Sequence, residues 1–336
     1  MKTECCGIAP DGSDIIMATI GSHQLQATII SFGACLQDLR LQHFDFPLVL
    51  GYADVANYLS NGSYFGAVVG RNANRIAQGR CLLSGQQLHL TKAINDQHQL
   101  HGGPNGSSFR NWQIVSKTPN QVVLQDMLPH GHMGFPGNLC VQITYTIQQQ
   151  TLDVKIEANT DQTTLCNFML HNYFNLDNSL NLDHHFLSVT AKTYLPTNTS
   201  GIPIGNETDV DNTDYDYRTI KNLNKFMFEG RLDHNFCIKN KPGVLQEVAQ
   251  LESCCSGISM KLSSTEVGLQ VYNAADVSVE ANKSLHGRTY HPYSGLALEP
   301  QGWPNAANEG QFPSCVLHPS ETYLQHTSYQ FDMHTG

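Results

Sequence analysis

"TLDVKIEAN", residues 151–159, is the stretch on which the fold turns. Leu152, Val154 and Ile156 alternate with Asp153, Lys155 and Glu157. A period of two puts the apolar side chains on one face of an extended strand and the charges on the other. A helix would scatter the same residues around its circumference. The pattern predicts a strand with one wet face, as antiparallel sheets have.

Working outward, strand-like runs recur along the chain: "LQATIISFG" (25–33), "FPLVLGY" (46–52), "CLLSGQQLHL" (81–90), "WQIVS" (112–116), "QVVLQDML" (121–128), "LCVQITYTI" (139–147), "FLSVTAKTYL" (186–195), "GISMKLSS" (257–264), "GLQVYNA" (268–274) and "SGLALEP" (294–300). They are short, rich in Val, Ile, Leu, Thr and Tyr, and bounded by Gly, Pro, Asn or Asp, which is an all-β signature. "DVANYLS" at 54–60 allows a short helix at best. A dozen strands exceed what a single twisted open sheet usually holds, about 10. The expected fold is therefore all-β, a large β-sandwich. No Pro/Ser tract, charge block or composition shift divides the chain, so residues 1–336 are expected to form a single domain.

Composition narrows the function classes. The formal charge is −10, with no basic run, which argues against nucleic acid as a partner, because such binding needs clustered Lys and Arg. No run of 18 apolar residues suggests a membrane span, and the N-terminal segment lacks the apolar stretch of a secretory leader. Ten cysteines occur without a CxxC pair, so a cytoplasmic protein with reduced thiols is expected. The sequons at Asn61, Asn105, Asn198, Asn206 and Asn282 then read as accidents of an Asn-rich chain. Nothing in the sequence fixes an oligomeric state.

Polar clusters stand at the strand ends. "GRNANRIAQG" (70–79) carries Asn74 and Arg75 but matches neither GxxxxGK[ST] nor GxGxxG, so no nucleotide cofactor is indicated. "LHGG" (100–103) sets His101 before two glycines. "LHNYFNLDN" (170–178) sets His171, Asn172 and Tyr173 together, "LDHNF" (232–236) offers Asp233, and "GLQVYNA" offers Gln270. In "ALEPQGWPNAAN" (297–308), Glu299 follows an apolar run and precedes Pro300, which puts it at a strand's end. Taken singly, each His reads as a core or surface histidine among sixteen, and Glu299 as a solvated turn residue. His130-Gly-His132 and His184-His185 lie in loop-like surroundings, and no His/Cys spacing of a catalytic metal site links them to the other candidates; no metal is indicated.

The order of motifs is more specific than any one of them. "LVLGY", "YFGAVVGRNANRIAQG", "LHGG", "GFPGNL", "HNYFNL", "LDHNF", "GLQVYNA" and "LEPQGWPNAANEGQFP" together resemble the aldose 1-epimerase (galactose mutarotase) family, from about residue 10 to 331. The resemblance implies a galactose-mutarotase-like supersandwich and cofactor-independent exchange of the α and β anomers of free aldoses, with a small-molecule sugar as partner. It also implies His171 as general acid, Glu299 as general base, and Asn74, Arg75, His101, Asp233 and Gln270 as sugar-binding residues, with Asn172 and Tyr173 lining the site. Tyr173, Phe174 and Trp303 are candidates to cover the apolar face of the sugar.

Three departures from the family pattern stand out: Cys166-Asn167-Phe168-Met169-Leu170 ahead of His171, Asn172 after it, and Asn305 after Trp303-Pro304. They bear on how His171 is oriented. Three rivals stay open at this level. One is a non-catalytic sugar binder; another is a hexose 6-phosphate epimerase, which needs a cation near C6; the third is a metal-dependent hydrolase using the His-rich loops.

Overall fold

The computed structural model describes residues 3–60, 62–93, 97–223, 230–238 and 243–333; the Asn61 sequon lies outside them. Thr151–Thr160 is an inner strand of a nine-stranded sheet. Leu152, Val154 and Ile156 are buried there, whereas Asp153, Lys155 and Glu157 are partly or fully exposed. Its neighbours are Leu139–Gln148, paired through the two-residue turn at 149–150, and Tyr323–Met333, brought back from the far end of the chain.

Two further sheets complete the layers. Thr3–Ile8, Asp14–Gly21, Leu25–Ile30 and Leu36–Leu41 form a four-stranded meander. A six-stranded sheet runs in the order Tyr173–Phe174, Leu296–Gln301, Gly268–Tyr272, Asp233–Cys237, Thr193–Tyr194, Thr208–Asp209. Ile29 and Leu39 from the first, Ile143 and Val154 from the nine-stranded sheet, and Leu269 and Leu298 from the third meet in one hydrophobic core. Each such aliphatic side chain contributes about 1.5–3 kcal/mol of burial. A one-residue register slip in any inner strand would turn that set toward water.

Four segments differ from the sequence expectation. "FPLVLGY" has no ladder: Leu48 N donates to Leu39 O and Leu50 N to Tyr173 O, so this buried apolar run bridges two sheets as an irregular segment. "CLLSGQQLHL" is a hairpin, Arg80–Leu83 with Gln86–His89, because Ser84 and Gly85 both take positive φ as a type I′ turn requires. "FLSVTAKTYL" changes layers, His185–Val189 lying in the nine-stranded sheet and Thr193–Tyr194 in the six-stranded one. The fourth is the strand Leu296–Gln301, which runs through Pro300, so Glu299 lies within a strand and not at its end. Pro300 is tolerated because its carbonyl accepts from Gln325 Nε2 (2.9 Å), away from the ladder with Gly268–Tyr272. Its nitrogen faces that same side, beyond the end of Tyr173–Phe174.

Candidate active site

The six-stranded sheet places the site through its alternation. In Leu296–Gln301, Leu296 and Leu298 enter the core while Glu299 turns to the opposite face. In Gly268–Tyr272, Leu269 and Val271 are core residues, whereas Gln270 and Tyr272 share the face of Glu299. Gln270 pairs directly with Glu299 across the ladder. On the next strand Asn235 opposes Gln270, so Asp233 stands two residues along, as a diagonal neighbour. Its Oδ1 accepts from Gln270 Nε2 at 2.6 Å.

A second wall comes from a loop pair. Arg75–Ile76 pairs with Gln99–Leu100, and beyond it His101 N donates to Asn74 O (2.9 Å) while Asn74 N donates to His101 Nδ1 (3.2 Å). That second bond leaves His101 Nδ1 as an acceptor, so the ring proton sits on Nε2. Burial holds the His101 pKa well below the usual histidine value, and His171 and Arg75 add to this, so His101 is a neutral donor. Gly102 follows with φ +82°, where a Cβ would lie 1.9 Å from Gly70 O; only glycine lets these backbones approach so closely.

Together these elements enclose a cavity of about 230 Å³ lined by His171, Glu299, Asn74, Arg75, His101, Tyr173, Asp233 and Gln270. His171 Nε2 stands 3.5 Å from Glu299 Oε1, and both side chains are buried. His171 Nδ1 has no hydrogen-bond partner among the described residues. The ring is held by packing instead: it stacks on Tyr173 (4.9 Å) and Tyr64 (5.8 Å), with His101 edge-on at 5.4 Å. The backbone is pinned by His171 N to Ala67 O and Gly66 N to His171 O, both 3.0 Å.

Burial dominates the electrostatics. It pushes the His171 pKa down to about 4, against a smaller upward pull from Asp233. Burial also pushes the Glu299 carboxyl well above its ordinary value, with Asp233 adding to it and Arg75 opposing it. Both directions follow from the cost of burying charge. A neighbouring anion alone would raise the His171 pKa, but desolvation outweighs Asp233 and reverses the sign.

One proposed lining residue is not in the cavity. Asn172 lies between His171 and Tyr173, so strand alternation turns it inward, where it is fully buried beside the Tyr329 hydroxyl. Phe174 likewise packs in the main core, and Trp303 packs on Phe312 with its Nε1 donating to Val267 O. The aromatic lining comes instead from Tyr64, Tyr173 and Tyr272. Asn305 is a brace: its Oδ1 accepts from Ala77 N, and its own N donates to Arg75 O. Asn167 accepts from Gly302 N at 2.8 Å, tying the segment before His171 to the one after Glu299.

Sequence reading also missed Arg231. Its guanidinium holds Asp233 Oδ2 at 2.7 Å, pairs with Asp276 and lies 5.0 Å over the Tyr272 ring. The clue was its position, directly before the motif "LDHNF" and two residues before Asp233. Arg75 Nε, in contrast, is buried without a partner among the described residues, and Gly201 lies so close to the guanidinium that a Cβ there would stand 3.0 Å from it. Arg75, Arg231 and Asp233 also border an outer cavity of about 590 Å³. The arrangement can bind several hydroxyls and move a proton between two adjacent oxygens.

The aldose 1-epimerase family model matches residues 17–330. The chain is 36% identical to the galactose mutarotase of Rattus norvegicus over 327 residues, covering 93% of this chain and 92% of the relative. It is 30% identical to the aldose 1-epimerase of Escherichia coli K12 over 346 residues, covering 98% and 99%. An aldose epimerase homologue from C. elegans superposes with a TM-score of 0.88 at 28% identity, over 94% of this chain and 99% of that one. A β-sandwich with His171 and Glu299 buried side by side in a polar pocket, and likeness over nearly the whole chain, mean that the chain belongs to the aldose 1-epimerase family.

Proposed function

We propose that His171 and Glu299 exchange the anomers of free hexoses such as galactose and glucose, by opening and reclosing the sugar ring. The observation that carries this is the 3.5 Å approach of His171 Nε2 to Glu299 Oε1 at the buried floor of the cavity. A hemiacetal bears its hydroxyl and its ring oxygen on one carbon. Two adjacent proton-transfer groups can therefore address both oxygens at once.

Glu299 takes the C1 hydroxyl proton as His171 delivers one to the ring oxygen; the C1–ring oxygen bond breaks and an aldehyde forms. Rotation about C1–C2 presents the other carbonyl face. Closure then runs with the roles exchanged: His171 recovers its proton from the attacking hydroxyl and Glu299 returns one to the new C1 oxygen. Both groups end as they began. No electron changes hands and no leaving group departs, so the chemistry asks for neither a redox cofactor nor a metal.

Burial opposes charge on both groups; against it, Asp233 pulls the His171 pKa up and Arg75 pulls that of Glu299 down, so these two neighbours favour the working form with the proton on His171. Arg75, His101 Nε2, Asn74, Asp233 and Gln270 hold the hydroxyls, and Tyr173 backs the ring of His171. An unpaired buried polar group costs about 1–3 kcal/mol, so the partnerless Arg75 Nε and Gln270 Oε1 gain from a hydroxyl-rich ligand. The ten cysteines, all free thiols, suit the reducing cytoplasm.

Polarimetry of fresh α-D-galactose and α-D-glucose, with and without protein and in the presence of EDTA, tests the reading. Faster decay of rotation that survives the chelator supports it. Tight sugar binding without acceleration would make the protein a binding module.

A further inference from the structure

Outside the sugar cavity, one cluster of metal-binding side chains stands out. His184, Cys254 and Cys255 are all exposed, and their ligand atoms lie within 4.8 Å of one another. His184 directly precedes the strand His185–Val189; the two cysteines form the turn between Gln246–Ser253 and Ile258–Ser264. None of these residues lines the sugar cavity.

The turn explains why adjacent cysteines can act together. Neighbouring residues of a strand point to opposite faces. The other vicinal pair illustrates this: on Thr3–Ile8, Cys5 is exposed while the Cys6 thiol turns in and donates to Ile15 O. Cys254 and Cys255 escape this alternation because they have left the ladder.

Their backbone is also fixed. Cys254 N donates to His184 O at 3.1 Å, joining the two segments. Ser253 Oγ accepts from Cys255 N (3.2 Å) and Ser256 N (3.4 Å), and itself donates to the buried carboxylate of Asp177 at 2.7 Å. The adjacent His185 is a different kind of residue, fully buried and accepting from Leu176 N at 2.8 Å.

We propose that His184, Cys254 and Cys255 form a surface site for a thiophilic metal ion of the Zn²⁺ class. Two thiolates and an imidazole are a soft donor set that selects such ions over Ca²⁺ or Mg²⁺, which require oxygen ligands. With Zn–S of about 2.3 Å and Zn–N of about 2.0–2.1 Å, tetrahedral ligands stand roughly 3.4–3.8 Å apart. Rotation of these exposed side chains covers the small difference. Three protein ligands leave a fourth position for water or an external donor. A bound ion would clamp the 254–257 turn onto the segment before His185.

The test titrates the full-length protein, under a non-thiol reductant, with Zn²⁺ and with Cd²⁺, whose thiolate charge-transfer absorption reports sulfur ligation. Ca²⁺ and Mg²⁺ serve as controls. One equivalent of Cd²⁺ with a thiolate band, displaced by Zn²⁺ and absent with the controls, is expected. Cys254→Ser/Cys255→Ser should abolish the band, and His184→Ala should weaken binding by at least the roughly 10–100-fold seen when even an outer partner of a metal ligand is lost. Anomer exchange should be unchanged in these variants, which shows that they are folded. Equal binding by the double serine variant, or no thiolate band in the wild type, would overturn the site.

Discussion

His171 stands opposite Glu299 because two short ladder pairs, Tyr173 with Ala297 and Phe174 with Leu296, set a register that, carried two residues further, brings these side chains face to face. The Nε2–Oε1 separation is 3.5 Å. On the other side of Glu299 the ladder presents Gln270. His171 precedes the strand Tyr173–Phe174 by two residues and Glu299 lies within its partner strand, so the geometry of the proposed pair depends on this sheet register.

Removing either member should affect turnover more than binding. Glu299→Gln and His171→Asn are each expected to lower kcat by about 10²–10⁴, the usual contribution of a positioned acid or base. Because both act in one transition state, the double variant should lose far less than the product of the single losses. A folded Glu299→Gln protein with near wild-type polarimetric rates would remove Glu299 from the mechanism.

The pH profile follows from the burial of the pair. The productive state holds one proton between His171 and Glu299. A second proton is gained as pH falls through about 4, the depressed value of His171. The single proton is lost only above the raised value of Glu299. The kcat/KM profile of the free enzyme should therefore be a bell whose acid limb lies near pH 4 and whose alkaline limb lies above the ordinary carboxylate range. An acid limb at the ordinary histidine value of about 6.5 would contradict this account.

Substrate charge should matter through Arg231. Asp233 and Asp276 already hold that guanidinium, so it is not free to receive a phosphate. Neutral hexoses are expected to exceed their 6-phosphates in kcat/KM by at least about tenfold, roughly 1.4 kcal/mol. Arg75→Met and Asp233→Ala should raise KM, with kcat falling only as far as ring orientation suffers. Equal or reversed rates for the phosphates in a competition assay would show that Arg75 serves an anion.

Stability should report Glu266. Burial pushes its pKa up to about 7, and the Tyr323 hydroxyl donates to it at 3.1 Å. The folded state then holds this proton more tightly than the unfolded chain, whose glutamates titrate near 4.3. The resulting stability is complete below that pH and is lost as pH rises through about 7. Glu266 is partly exposed, so solvent screens some of the effect. Glu266→Gln should flatten the fall of Tm between about pH 5 and 8; an unchanged slope in thermal melts would assign the pH dependence elsewhere.

Gly102 should resist substitution. Gly102→Ala places a Cβ against Gly70 O in a backbone conformation of φ +82°. A cost of about 1–3 kcal/mol is expected from the backbone strain. Displacement of the adjacent His101 should also raise KM. Wild-type melting and kinetics in this variant would show that the loop has slack.

What the sequence determined by itself was local. The period of two in "TLDVKIEAN" follows from where successive Cβ atoms point along a strand, and it needs no neighbour to be read. The ordered motifs likewise carried the family and the identities of His171, Glu299, Arg75 and Asp233. Tertiary structure decided what depends on partners remote in the chain. The Ser84-Gly85 turn was written in the sequence as a dipeptide, but the break in "FPLVLGY" came from its hydrogen bonds to Leu39 and Tyr173. Alternation in "HNYF" allowed two possible faces; only docking against Leu296–Gln301 sent His171 and Tyr173 to the cavity and Asn172 and Phe174 to the core. Arg231, Tyr64 and Tyr272 joined the site through packing against residues remote in the chain. Desolvation, which sets the direction of both the His171 and Glu299 shifts, is a property of everything packed around them, and so it appears only when the chain is folded.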